Sequence, residues 1–135
     1  MTSLLHGVDL VSVERLKGIL QRTPAFSERV FSEAERAYCE AQAEPTIHFA
    51  ARFAAKEAAI KALGLGLTSV GIDGLLRMIH VERDQGPPRL VLEGRAAERA
   101  RELGVAETAL SLTHTDDHAL ASVVMTTAGA ERSGS

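Results

Sequence analysis

Two carboxylates in this chain stand where an acid is not needed for folding alone. Asp9 sits in the apolar run His6-Gly7-Val8-Asp9-Leu10-Val11. A charge in such a strand-like run is disfavoured unless something pairs with it. Glu57 sits in Arg52-Phe53-Ala54-Ala55-Lys56-Glu57-Ala58-Ala59-Ile60-Lys61-Ala62-Leu63-Gly64. Lys61 follows Glu57 by one helical turn, so its ammonium shares a face with that carboxylate. Arg52 and Lys56 stack in the same way on another face, because consecutive helix residues are about 100° apart. A strand aspartate and a helix glutamate together form a candidate site for a hard divalent cation such as magnesium. Magnesium takes one or two carboxylates and completes its shell with water and substrate phosphate. The same residues also fit a plainer reading, in which Glu57–Lys61 is a solvated helix pair and the two acids are unrelated.

These side chains must be held by the elements around them. Leu4 to Val11 reads as a strand, and Val13 to about Gln21 as a short helix with Ser12 as its N-cap. Thr23-Pro24 closes that helix, and Ala25 to Phe31 has room for one helical turn. Ser32 with Glu35 three residues on is a capping box for a helix through about Ala43. The main helix starts at Pro45 or Thr46 and ends at Gly64, placed for a left-handed C-cap. Its alanines (50, 51, 54, 55, 58, 59 and 62) leave little bulk, so another element can approach its backbone closely. Gly64 to Gly74 reads as loop and Leu75 to Arg83 as a strand of unclear register. Asp84-Gln85-Gly86-Pro87-Pro88 is a hairpin turn into a strand from Arg89 to Glu93. Gly94 to Leu103 is an amphipathic helix stopped by Gly104. Thr108–Thr113 and Ala119–Thr126 form a second hairpin around Thr115-Asp116-Asp117-His118. The expected fold class is α+β, an antiparallel sheet of about five strands with packed helices. Residues 1–127 make one domain, and the small, polar segment 128–135 is expected to be a disordered tail.

Composition narrows the function classes. A chain of 135 residues suits one domain with one core, and 4% aromatic content means a core of Leu, Val, Ile and Ala. A formal net charge of -3 gives no footprint for general nucleic-acid binding. No run approaches ~18 apolar residues and no leader-like segment opens the chain, so a cytoplasmic protein with no membrane partner is expected. The single cysteine, Cys39, cannot form an internal disulfide and reads as an inert helix residue.

Gly7-Val8-Asp9 followed by Phe53-Ala54-Ala55-Lys56-Glu57-Ala58-Ala59-Ile60-Lys61 resembles the paired signature of the 4'-phosphopantetheinyl transferases, specifically the short type. The likeness runs from about Leu5 to Met125. It takes in Phe31-Ser32-Glu33-Ala34-Glu35, the Gly64-Leu65-Gly66 turn, Gly86-Pro87-Pro88 and Ser111-Leu112-Thr113-His114. Each piece is weak alone, and their order and spacing together are specific.

The resemblance implies transfer of 4'-phosphopantetheine from coenzyme A to a serine of an apo-acyl-carrier protein. The products would be holo-carrier protein and adenosine 3',5'-bisphosphate. It assigns Asp9 and Glu57 as magnesium ligands, and Lys61 as the cation that neutralises charge on the phosphate. Lys61 or a carboxylate-held water is then the base for the serine. Arg52, Lys56, His48 and His114 are implied as coenzyme A contacts. Thr113 stands where the family's Ser-x-Ser-His pattern has its second serine, and it keeps a hydroxyl. The basic excess of Arg15, Lys17, Arg22 and Arg29 suits an acidic carrier protein, or equally an ordinary solvated helix. A short chain of this type implies a homotrimer with shared active sites. Alternatives from other classes are an acyl-coenzyme A-dependent acyltransferase, which would leave the pyrophosphate intact, and a non-catalytic coenzyme A or carrier-protein binding module. His114 and His118 with Asp116 or Asp117 also raise a transition-metal pair, which their spacing across a turn disfavours.

Overall fold

The structure, a computed structural model, describes residues 3–66, 71–83 and 85–128. Parts of the loop after Gly64, Asp84 in the hairpin turn and the tail beyond Ala128 lie outside the described residues. The elements in order are β1 (Ser3–Ser12), α1 (Val13–Arg22), α2 (Ala25–Val30), α3 (Glu33–Glu40), α4 (Pro45–Leu63) and α5 (Gly71–Arg77). They are followed by β2 (Ile79–Glu82), β3 (Arg89–Leu92), α6 (Gly94–Leu103), β4 (Val105–His114) and β5 (His118–Thr127).

Local chemistry sets most of these bounds. The Ser12 side chain accepts from the Arg15 amide at the start of α1. Ser32 and Glu35 form a reciprocal capping box on α3, which ends at Glu40 rather than near Ala43. Pro45 opens α4, and Gly64 closes it at φ 65 in the left-handed region.

Two expectations are corrected. Gly71–Arg77 is helix α5, where loop and then strand were expected. Ile72, Leu75 and Leu76 fall at helical spacing, and burying Leu75 and Leu76 outweighs the helix-weakening glycines on either side of Asp73. The strand therefore begins only at Ile79. The strands also divide into two sheets, a three-stranded antiparallel sheet in the order β1-β5-β4 and the separate hairpin β2-β3. Helix α6 carries the chain away from β3, and β4 then pairs with its own hairpin partner β5, whose other edge β1 already holds.

Helix α4 lies across one face of the larger sheet, against β1 and β5. The approach is close enough that a Cβ on Gly7 would stand 1.9 Å from the Ala58 carbonyl oxygen. Its alanines at 50, 54, 55, 58 and 59 are fully or almost fully buried against the core residues Val123, Met125, Leu63 and Phe31. From Phe49 to Leu63 every residue of α4 is buried except Phe53, Glu57 and Lys61. Those three are spaced by four and form one open stripe along the helix.

Among the described residues, the opposite face of the sheet carries no helix. Register places Leu4, His6, Val8 and Leu10 of β1 beside Thr126, Val124, Ser122 and Leu120 of β5 on that side. Leu4 is 71%, Val8 45% and Leu10 61% exposed. Among the other aliphatic strand residues, Val123, Leu110 and Leu112 belong to the α4 side, and Leu120 and Val124 to the open side.

Candidate active site

Three elements meet at one end of the open stripe. β1 brings Asp9, α4 brings Phe53 and Glu57, and the first turns of α1 bring Arg15, Leu16 and Ile19. Together with Leu10, Val11 and Ser12 they line a cleft of about 400 Å³. Because Ser12 ends the strand and caps the helix in one step, Arg15 follows Asp9 at once into the same cleft.

Lys61 does not pair with Glu57, the neighbour that helix spacing suggests. Its Nζ donates to Asp9 Oδ1 at 3.0 Å and to the Val8 carbonyl at 3.0 Å. Asp9 thus has the partner that its place in an apolar strand required. Burial pushes the Glu57 carboxyl above its usual range, and the negative charge of Asp9 pushes the same way, while Lys61 and Arg15 pull it down. A second acid facing Glu57 across the cleft suits the pair to sharing a cation. The donors there are carboxylate oxygens, with no thiol or imidazole lining the cleft. Among the described residues no group of three or more His, Cys, Asp or Glu could hold a metal. Carboxylate oxygens are donors of the kind a hard divalent cation takes.

The cationic edge is corrected. Lys56 is 0% exposed. Its ammonium lies 2.8 Å from Glu35 Oε1 and donates to the carbonyls of Leu76 and Ile79. All three N–H donors are spent, so Lys56 presents no atom to a ligand. Burial lowers its proton affinity, and Glu35 opposes that shift. The other Glu35 oxygen accepts from the Val81 amide at 2.7 Å, and the Ser32 amide donates to Oε1. Sequence reasoning treated Glu35 only as half of a capping box and did not assign it to Lys56.

Arg52 is 2% exposed, and its guanidinium lies over the Tyr38 ring at 4.1 Å. Its Nε is buried and has no hydrogen-bond partner among the described residues. With Tyr38, His80 and Arg83 it lines a second cleft, of about 350 Å³. The His48 ring stands between Tyr38 and His114, at centroid distances of 5.9 Å and 6.2 Å. Burial lowers the His48 pKa, and Arg52, His114 and Arg83 lower it further. Arg52, His48 and His114 are therefore brought together, as an anion-ready group away from Asp9 and Glu57. His114 faces His48 rather than forming a metal pair with His118.

The basic residues of the N-terminal region are dispersed. Arg15 lines the carboxylate cleft, Lys17 lines a different one beside Glu44 and Asp116, and Arg29 bridges Asp73 at 3.0 Å. Cys39 is fully buried and its thiol is pushed up to about 12, mainly by burial.

The chain belongs to the 4'-phosphopantetheinyl transferase superfamily, whose family model matches residues 6–123. It is an enzyme of that transferase class. It is 50% identical over 123 residues to a holo-[acyl-carrier-protein] synthase of Anaeromyxobacter dehalogenans, covering 88% of this chain and 92% of that one. Among solved structures it resembles the ACPS–CoA complex of Chronobacterium ammoniagenes, with a TM-score of 0.77, 35% identity and coverage of 91% and 96%. It also resembles the Helicobacter pylori holo-[acyl-carrier-protein] synthase in complex with coenzyme A, with a TM-score of 0.74, 26% identity and coverage of 90% and 99%. The expected class and fold are thus borne out. No helix among the described residues is long and apolar enough to cross a membrane.

Proposed function

We propose that the cleft between β1 and α4 is where this transferase moves 4'-phosphopantetheine from coenzyme A to a serine of apo-acyl-carrier protein. Adenosine 3',5'-bisphosphate is the other product. The observation that carries the placement is the meeting of Asp9 on β1 with Glu57 and Lys61 on the open stripe of α4, which is otherwise buried from Phe49 to Leu63. Asp9 and Glu57 would hold magnesium, which when bound would supply positive charge to offset that of the substrate phosphates. Lys61, with its side chain 55% exposed, reaches the phosphate and balances charge as the serine oxygen attacks and the bisphosphate leaves. Arg52, His48 and His114 take the nucleotide phosphates. Arg15 and Arg22, seven residues apart and so on one flank of α1, receive the acidic carrier.

The two groups of residues lie on different sides of α4. His48 and Glu57 are separated by nine residues, about 180° around the helix and roughly 13 Å along it. This supports a homotrimer in which one subunit's cationic group faces another's carboxylates. Residues 1–127 act as one domain, and the cytoplasm is the proposed location, tested by cell fractionation.

Mass spectrometry of apo-carrier protein incubated with this protein, coenzyme A and magnesium tests the activity. One added phosphopantetheine on serine is expected, and an acylated carrier or none would overturn it. Glu57→Gln and Asp9→Ala test the placement. Both should lose turnover while keeping a normal thermal transition, and full activity of either at ordinary magnesium levels would remove the cleft from the chemistry.

A further inference from the structure

Lys61 is tied to the cleft from its exposed end. The Val8 carbonyl fixes its ammonium against β1, and from there it reaches Asp9 rather than Glu57. The partners are unequally placed, with the lysine side chain 55% exposed and the aspartate 13%. An exposed cation thus covers one oxygen of the more buried acid. A lysine suits this position because its ammonium is a point charge on a flexible stem, free to leave without losing a planar two-point fit.

A divalent cation entering between Asp9 and Glu57 meets a carboxylate that is already paired. Resting on the function proposed above, we propose that Lys61 is an exchangeable counter-ion of the metal site. Divalent-cation binding displaces its ammonium from Asp9, and the displaced ammonium is the one that becomes free for a substrate phosphate. The coupling is reciprocal. The Lys61–Asp9 pair weakens cation binding, and a phosphate that draws Lys61 away strengthens it. Cation and phosphate therefore favour each other's binding before any bond is broken.

A lysine that only tied β1 to α4 would behave oppositely. Its loss would loosen Asp9 and weaken cation binding, so the two roles differ in sign. The test is calorimetric titration of magnesium alone, at pH 8 and low salt, into wild type, Lys61→Gln, Lys61→Met and Glu57→Gln. Lys61→Gln keeps a donor for the Val8 carbonyl and removes the charge. Binding roughly 3–10-fold tighter than wild type is expected in both Lys61 variants, from removal of one nearby positive charge at a partly exposed site. The gain should shrink as salt rises. Unchanged or weaker magnesium binding by Lys61→Gln overturns the exchange while leaving the site in place. Absence of saturable binding by wild type, or binding undiminished in Glu57→Gln, removes the metal site and the exchange with it.

Discussion

Lys56 and Glu57 are adjacent in sequence, about 100° apart around the helix, and meet different surroundings: Lys56 is sealed 2.8 Å from Glu35, while Glu57 opens into the cleft. The buried pair joins α3, α4, the end of α5 and β2, because Glu35 and Lys56 together bond Ser32, Val81, Leu76 and Ile79. Removing one partner leaves a buried charge alone. Lys56→Met should therefore lower stability by about 3–5 kcal/mol. Denaturant unfolding checks this, and a loss of less than ~1 kcal/mol would show that the pair is not the clamp described. If Lys56 has only this role, variant protein that remains folded should keep its Michaelis constant for coenzyme A.

Gly7 shows how the strand is held over the helix. An added Cβ would meet the Ala58 carbonyl oxygen at 1.9 Å and the Ala62 amide nitrogen at 2.8 Å. Both are backbone atoms, which cannot rotate away. Gly7→Ala should cost at least about 1–3 kcal/mol and shift β1, and with it Asp9, relative to Glu57. Thermal unfolding and turnover should both report it. Trimming Ala58 to Gly should give no rescue, because the carbonyl stays; recovery in the double variant would contradict the contact.

Much of this arrangement was legible in the sequence because the signals were local. Ser12, Ser32 with Glu35, Pro45 and Gly64 mark helix ends by their own side chains or φ angles, and the structure uses each of them. Asp9 was conspicuous because an acid in an apolar strand needs a partner. That the partner is Lys61 rather than a residue nearer in the chain depends on how α4 crosses β1, which helix spacing cannot report. Lys56, expected as a coenzyme A contact, is spent on Glu35 for the same reason. A stacked cationic pair looks solvated until α3 and β2 close over it. Helix α5 was missed because two glycines in seven residues hide a helix that is held by burial of Leu75 and Leu76.

His48 gives a pH test of the cationic group. Its pKa is held below the ordinary imidazole value of about 6.5, first by burial and then by Arg52, His114 and Arg83. Above the ordinary value both folded and unfolded chains are neutral at this ring, and it costs nothing. As pH falls through that value the unfolded chain takes the proton first, so stability drops until the lower folded-state pKa has been passed. Thermal transitions between pH 7.5 and 5.5 should fall less steeply in His48→Gln. In ring-proton NMR, adenosine 3',5'-bisphosphate should move the His48 pKa upward, since an anion near Arg52 and His114 offsets their charges. A His48 pKa at or above the ordinary value, unmoved by the nucleotide, would separate this ring from the cationic group.

The open sheet face and the divided site lead to the same assembly. Leu4, Val8 and Leu10 are exposed beside Leu120 and Val124, on the side of the sheet without a helix. Covering them in a second and third copy of the chain would remove these aliphatic side chains from water, at roughly 25 cal/mol for each Å². In the proposed homotrimer the same packing would bring one copy's His48, Arg52 and His114 to another copy's Asp9 and Glu57. Light scattering should therefore give the mass of a trimer, and Leu10→Glu, which places a charge among these aliphatic side chains, should give monomers with little turnover. Glu57→Ala and His114→Ala should each be inactive alone. Dissociated together and reassembled, they should regain activity, because a mixed trimer pairs an intact carboxylate cleft on one copy with an intact cationic cleft on its neighbour. A wild-type monomer mass, or no recovery in mixtures proven to have exchanged subunits, would mean that each chain works from its own residues.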